Sequence, residues 1–307
     1  MGRRRFMKRN YIGFARMGST FGPAEGAGDY NPTLPAGHYK VDYVDYEDRL
    51  VLTTFTPKMD EILNLGCKEF NDVLRNLGNF LSPEAAEKFK KEGYLLKRSF
   101  LFHGPPGTGK SVLATKSAQL AINTKNAIAI YPSSYDALER MLEVLGETDK
   151  ERFTVISLEE VDDLISGRDE SSWTSLLDGQ FQSANRLLLA TTNNVQEIPQ
   201  RLLRPGRFSS LVYIPPLNND ARFKYLVSKG LEEAFAASIV NKTNTFTVDE
   251  LKEVVQNAYI LGEPLDEVIL AINQARTLGK GGLLVDNNGQ LAQSTNVMPT
   301  GTQIYVD

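Results

Sequence analysis

Short runs of consecutive apolar residues, separated by stretches of helical period, set the frame of this chain. Ser99-Phe100-Leu101-Phe102 is the first, followed by Ala127–Tyr131, Phe153–Leu158, Arg186–Thr192 and Leu211–Ile214. Runs of this length without polar alternation are the pattern of strands buried on both faces. Between them Val112–Ala118 reads as the first turns of a helix, and Tyr135 to about Leu145 as another. Ahead of the first run, Ile62, Leu63, Phe70, Val73, Leu74, Leu77 and Leu81 recur near helical spacing, predicting one amphipathic helix from Met59 to about Leu81. Ser82-Pro83-Glu84 then opens a further helix, with a Ser cap, Pro at the first helical position and an acid in the first turn. Strands alternating with helices predict an α/β fold: a parallel sheet sandwiched by helices, with polar chemistry at the carboxyl ends of the strands.

The two ends of the chain depart from that alternation. Residues 22–37 are dense in Gly and Pro and read as a linker or extended arm. Tyr39–Tyr46 and Leu50–Phe55 look like two strands joined by a polar turn, a hairpin in front of the main domain. From Asn218 the pattern is helical throughout. Thr247-Val248-Asp249-Glu250 is a capping box before Leu251, Val254, Val255, Ala258 and Leu261, and Pro264 opens a helix carrying Val268, Ile269, Ile272 and Ala275. The expected organisation is a basic tail and arm at 1–37, a small β element at 38–57, the α/β domain at 58–215, a small all-helical lid at 216–278, and a weakly packed tail at 279–307 with a hairpin signal at Asn288-Gly289.

Composition narrows the classes. A chain of 307 residues that is 41% apolar can bury a sizeable core. Its net charge of −4 hides an asymmetry: Arg3, Arg4, Arg5, Lys8, Arg9 and Arg16 crowd the first sixteen residues without an acid. The rest is strongly acidic, which argues against a long nucleic-acid groove and leaves the basic tail as the one strip suited to nucleic acid. Cys67 is alone and only His38 and His103 accompany it, so neither an internal disulfide nor a structural zinc cluster is expected. No apolar run is long enough to span a bilayer, and no apolar core follows the basic N-terminus. The expectation is a protein of the cytoplasm, with no membrane role.

The chemistry gathers at the strand ends. Gly104-Pro105-Pro106-Gly107-Thr108-Gly109-Lys110-Ser111, with Val112 behind it, stands between a strand and a helix as a P-loop must. Its glycines let backbone N–H groups turn onto phosphate oxygens at a helix N-terminus, Lys110 reaches the terminal phosphates, and the Ser111 hydroxyl ligates magnesium. ATP with Mg2+ is the expected cofactor. Glu159 and Glu160 end an apolar strand, where one carboxylate can hold the magnesium or its waters and the next polarise an attacking water; a merely polar loop is the plainer alternative. Asn193, at the end of the neighbouring strand, can hydrogen-bond the same water and the γ-phosphate, or be a turn residue. In Arg201-Leu202-Leu203-Arg204-Pro205-Gly206-Arg207-Phe208 the arginines are stiffened by Pro-Gly and suit presentation to a phosphate in a neighbouring subunit; a solvated basic turn is the alternative.

Taken together, GPPGTGKS, VISLEEVDD, LLLATTNN and RLLRPGRF, in that order, resemble the AAA branch of the AAA+ ATPases over roughly residues 95–277. The resemblance implies Lys110 and Ser111 as Walker A, Glu159 and Glu160 as Walker B, Asn193 as sensor 1, and Arg204 and Arg207 as arginine fingers. It further implies ATP hydrolysis in a self-assembled ring, usually a hexamer, acting on a protein substrate. In texture the chain is similar to phage-encoded AAA ATPases, which would put it in a host cytoplasm, and to the Bcs-type AAA chaperones, which also carry Glu at the first Walker B position. The aromatic-apolar-Gly pore loop of AAA unfoldases is not visible among residues 131–150, where Tyr131 and Tyr135, with Trp173 beyond, are candidates for a pore and equally for packing. Remodelling of a protein or protein–nucleic-acid complex is the leading expectation. A DNA-associated motor in replication or packaging and a nucleotide-gated scaffold are the alternatives.

Overall fold

The computed structural model describes residues 11–25, 30–57, 67–167, 169–179 and 183–279. In chain order the strands are β1 (Gly13–Met17), β2 (Thr20–Ala24), β3 (Gly37–Val44), β4 (Arg49–Phe55), β5 (Lys97–His103), β6 (Ile128–Pro132), β7 (Thr154–Leu158), β8 (Arg186–Thr192) and β9 (Ser210–Tyr213). The helices are α1 (Lys68–Phe80), α2 (Pro83–Lys91), α3 (Lys110–Lys125), α4 (Tyr135–Thr148), α5 (Val161–Ser166), α6 (Glu170–Asp178), α7 (Asn219–Ser228), α8 (Glu233–Lys242), α9 (Val248–Val254) and α10 (Leu265–Gly279). All nine strands form one sheet in the order β1-β2-β4-β3-β6-β7-β8-β5-β9. From β3 to β9 every neighbouring pair is parallel, and β1, β2 and β4 join by antiparallel pairing. The expected α/β fold, a mostly parallel sheet between helices followed by further helices, is the one observed.

Single-residue alternation sorts the apolar runs into two layers. Leu101, Ile128, Ile130, Ile156, Leu188 and Ala190 face one side, where α4, α5 and α6 supply Leu138, Met141, Leu145, Val161, Trp173 and Leu177. Phe100, Phe102, Ala129, Val155, Leu187 and Leu189 face the other, against Phe70, Val73 and Leu77 of α1 and Leu113, Ala114 and Ala118 of α3. Both faces are covered, so the strands need no polar positions until their ends. The helices after β9 enclose a core of their own, including Tyr225, Leu226, Ile239, Phe246, Leu251, Val254 and Ile272. Trp173 is fully buried and meets Tyr135 edge-on at 5.2 Å between ring centres, so both are packing residues. Among the described residues no helix is long and apolar enough to cross a membrane.

The N-terminal part differs from its expectation. The strands β3 and β4 do not stand in front of the main domain: β3 runs parallel to β6, with Gly37 opposite Ile128 and Val41 opposite Pro132, and so extends the central sheet. Part of the supposed arm is a second hairpin, β1–β2, turned at Gly18 with φ +64° and joined to β4 through Thr20–Thr53 and Phe21–Leu52. The physical reason is burial. Phe14 and Phe21 are inside the core, Phe21 meeting Tyr39 edge-on, and Gly22 and Pro23 of the Gly- and Pro-dense stretch are part of β2 itself. A Cβ at Gly13 would lie 2.4 Å from the Asn31 carbonyl oxygen, so that glycine permits two backbone segments to touch. The seam at β3 and β6 is polar where it meets α3: His38 Nδ1 is 2.9 Å from the Tyr131 hydroxyl, and His38 Nε2 is 3.0 Å from Gln119 Oε1. The expected helix from Met59 is described only from Lys68 onward; the hairpin signal at Asn288-Gly289 and most of the basic tail lie outside the described residues.

If the first hairpin belongs to the same cooperative core, Phe14→Ala lowers the unfolding free energy by about 3–5 kcal/mol, the usual cost of a large buried cavity. Urea unfolding followed by both Trp173 fluorescence and far-ultraviolet circular dichroism then shows one coincident transition, and a separate early step would contradict the shared core.

Candidate active site

The turn after β5 cannot be built from ordinary residues. Gly104 has φ +145°, and a Cβ there would fall 2.3 Å from the Ile214 carbonyl oxygen; Gly107 and Gly109 have φ +72° and +90°. These conformations let the loop turn sharply between β5 and the start of α3. Thr108 is buried, and its hydroxyl donates to the Pro105 carbonyl at 2.9 Å, closing the loop on itself.

Lys110 is the centre of the site. Its Nζ donates to the carbonyls of Gly104 and Pro105, each at 2.8 Å, and to Asn193 Oδ1 at 2.7 Å. The ammonium thus binds the loop to the carboxyl end of β8. Burial pulls its pKa below the ordinary lysine value, while Asp162, Glu160 and Asp249 act in the opposite sense. A lysine largely removed from water and ringed by oxygen acceptors is a charge set in place before any anion arrives.

Glu159 and Glu160 are adjacent in sequence and divide between two spaces. Glu160 takes a left-handed conformation, φ +47° and ψ +55°, and its N–H donates to Thr191 Oγ1 at 3.2 Å. That turn places Glu160 on a cavity of about 350 Å³ together with Pro106, Gly107, Gly109, Lys110, Ser111, Val112 and Asn193. Glu159 lines a neighbouring cleft of about 610 Å³, which it shares with Ser111, Thr115, Tyr131 and Lys40. Although Glu159 keeps an opening to solvent, desolvation and then the charge of Glu160 push its pKa up, and Lys40 opposes them. Ser111 reaches both spaces. Among the described residues no group of three or more His, Cys, Asp or Glu side chains could cage a metal ion. Ser111 and Glu159, which share a cleft, carry oxygen donors of the type Mg2+ takes, one or two from protein with phosphates and water completing the shell.

Of the residues singled out in the sequence, Gly104, Pro105 and Thr108 are not among the cavity's lining residues. Arg204 and Arg207 are not among its lining residues, and they differ from each other. Arg207 Nε donates to Asp178 Oδ1 at 2.8 Å and its Nη2 pairs with Oδ2 at 2.5 Å, which holds the Asp178 carboxyl below its ordinary pKa. Arg204 is exposed and has no ion pair among the described residues. Arg201 pairs with Glu170 at 2.6 Å. Sequence reading passed over Thr191, Thr192, Val248, Asp249 and Lys252, all of which line the cavity. The first two adjoin Asn193 and could have been found from it. The other three belong to the start of α9, Val248 and Asp249 within its capping box and Lys252 two residues beyond it, and the sequence there announces a helix start and says nothing of what that start touches.

The comparisons agree with this geometry. Residues 100–216 match the family described as "ATPase family associated with various cellular activities (AAA)". The chain is 28% identical over 219 residues to ATP-dependent zinc metalloprotease FtsH 2 of Thermoanaerobacter, covering 64% of this chain and 42% of that protein. It is 30% identical over 165 residues to the ATPase histone chaperone abo1 of Schizosaccharomyces pombe, covering 48% and 14%, and 30% identical over 190 residues to Cell division control protein 48 homolog B of Arabidopsis thaliana, covering 53% and 31%. The matched region spans less than half the length of each of these relatives. The phosphate loop, Glu160 and Asn193 all lie inside residues 100–216, the region similar to this family.

Gly104→Ala tests the loop geometry without touching a charged group. Forcing a Cβ against the Ile214 carbonyl, in a backbone region that side chains rarely adopt, costs about 1–3 kcal/mol of stability. Denaturant unfolding reads it, and an unchanged midpoint would contradict the close approach.

Proposed function

We propose that this chain binds ATP with magnesium, hydrolyses it within a ring of its own copies, and uses the turnover to remodel a protein or a protein–nucleic-acid complex. The observation that carries the reading is the meeting of Lys110 and Asn193 at 2.7 Å beside Glu160, on a cavity roofed by the phosphate loop. In this reading the loop amides and Lys110 hold the phosphate chain, with Lys110 giving up its carbonyl partners for the terminal phosphates. Ser111 and Glu159 hold magnesium, which neutralises charge on the phosphates when bound. Glu160 polarises the attacking water, and Asn193 fixes that water against the γ-phosphate.

The arginines supply what the cavity lacks. A guanidinium that reaches a neighbouring subunit's γ-phosphate stabilises the charge that develops during transfer. Arg204 is suited to that role because it is exposed and holds no carboxylate of its own chain. Arg207, tied to Asp178, is suited to bracing the segment that presents Arg204. The ring is a homo-hexamer in this reading. The similarity to a metalloprotease and to a histone chaperone favours a protein as the object of the work. A kinship with the Bcs-type chaperones rests on Glu159 and on the short segment between β6 and β7.

Lys110→Ala abolishes ATP binding, and Glu160→Gln binds ATP and assembles without turning it over. The mass of each variant in solution, with and without ATP, checks both outcomes. Equal loss of binding in the two would sink the assigned roles. Arg204→Ala loses turnover by about 10³-fold or more while sparing binding, and regains activity when mixed with Glu160→Gln subunits, whose own site is silent. Arg207→Ala, in contrast, also lowers the unfolding midpoint, because Asp178 loses its partner.

A further inference from the structure

The amino ends of the strands, across the sheet from the ATP cavity, hold charges to which ATP chemistry gives no role. Lys97 begins β5 and Arg186 begins β8, and the two are register partners. Single-residue alternation puts both on the face of Leu101 and Leu188. Two cations side by side on adjacent strands repel each other. Lys97 keeps an opening to solvent, but Arg186 is only 4% exposed.

Arg186 is a costly residue to place there. Its Nη1 donates to the Arg152 carbonyl and to Thr154 Oγ1, each at 3.0 Å, yet its buried Nε has no hydrogen-bond partner. Asp149 and Glu151 favour its charge without forming an ion pair with it among the described residues. Desolvation pulls both cations below their ordinary pKa values, and for Lys97 the charge of Asp178 opposes that pull. Asp178 is itself held by Arg207. A guanidinium buried without a carboxylate, with an N–H left over, is a group missing its counter-ion.

A cavity of about 130 Å³ opens where such an ion would sit. Lys97, Ser99 and Arg186 line it from the sheet, and Gly206, Arg207 and Ser209 close it. Lys97 Nζ is 3.5 Å from the Gly206 carbonyl oxygen, and the Ser99 and Ser209 hydroxyls are 2.9 Å apart. Arg98 also borders the cavity, but its guanidinium lies over Phe80 and Phe100 of the other layer, 6.0 and 5.0 Å from their ring centres. The space admits one small oxyanion and is too small for a nucleotide.

We infer that this cavity binds a small tetrahedral oxyanion of the inorganic phosphate class, held between the Arg186 guanidinium, the Lys97 ammonium and the Ser209 hydroxyl. The anion screens the two cations from each other and supplies an acceptor for the spare Arg186 N–H. Because one wall is the segment Gly206–Ser209, an occupied cavity also ties the first residues of β5 and β8 to the turn that carries Arg204.

The inference goes beyond the ATP reading and does not need it, and phosphate itself is the probe. Isothermal titration of the full chain with phosphate, sulfate and chloride is carried out for the wild type and Lys110→Ala. The phosphate loop and this cavity are separate sites, so the wild type takes up two phosphates per chain and Lys110→Ala takes up one. Adding Lys97→Met to Lys110→Ala weakens the remaining affinity by about tenfold, the loss of one charge-assisted contact, whereas adding Lys97→Arg retains it. Arg186→Met acts in the same direction; if that variant does not fold by circular dichroism, Lys97→Met, at a partly exposed position, decides. Phosphate also slows amide hydrogen exchange across residues 204–209 in Lys110→Ala and not in Lys110→Ala/Lys97→Met, which a merely structural lysine would not produce. Undiminished uptake after Lys97→Met, or no uptake by Lys110→Ala, overturns the inference and leaves the ATP reading standing. Uptake no tighter than that of chloride marks an adventitious ion only and overturns it as well. Failure of the wild type to bind ATP would remove the ATP reading and leave phosphate binding at this cavity untouched.

Discussion

An ammonium taken out of water must be surrounded by oxygen, and the arrangement of this site follows from how Lys110 meets that demand. Its three acceptors come from two places, the loop after β5 and the end of β8, so the charge holds the loop against the neighbouring strand. Only a parallel sheet in which β5 and β8 are adjacent puts those two ends side by side. The positive-φ glycines and the buried Thr108 both depend on the loop being held there. The same charge explains why Asp162, Glu160 and Asp249 collect nearby: a buried cation lowers the cost of placing carboxylates around it.

The division of Glu159 from Glu160 is the second constraint. A single left-handed residue turns two neighbouring carboxylates toward different spaces, one against the phosphate loop and one beside Ser111, Thr115 and Tyr131. Two like charges facing a single cavity would raise each other's pKa and disfavour the ionised pair. Turned apart, they still interact, the charge of Glu160 raising the Glu159 pKa after desolvation, and the cleft of Glu159 meets Lys40 of β3, which opposes that shift.

Much of this was legible in the sequence because its causes are local. The run GPPGTGKS carries its own turn chemistry, and the apolar runs report burial on both faces without reference to any partner. The first hairpin was not legible for the opposite reason. Phe14 and Phe21 become core residues only once Tyr39 and Leu52 lie beneath them, and nothing within residues 13–24 specifies that. In the same way, a capping box reveals that a helix starts at Thr247 but cannot say that the start lies on Gly107. The arginines show the limit most clearly: Arg204 and Arg207 are equivalent in spacing, and only Asp178, far away in sequence, distinguishes them.

The strand order also governs when the sheet can be completed. Gly37 pairs with Ile128, and His103 with Tyr213, so neighbours in space are distant along the chain. As the polypeptide leaves the ribosome, β3 and β4 can pair with each other at once, yet the strand that receives β3 is made much later. Until β6 appears, the hairpin carries an open parallel edge, with Tyr39, Val41, Leu50 and Leu52 uncovered on one face. Closing such long loops is slow, and unpaired edges recruit other strands while they wait. During synthesis, the open edge of β3 is therefore exposed to misassociation until β6, which follows the phosphate loop and α3, arrives to cover it.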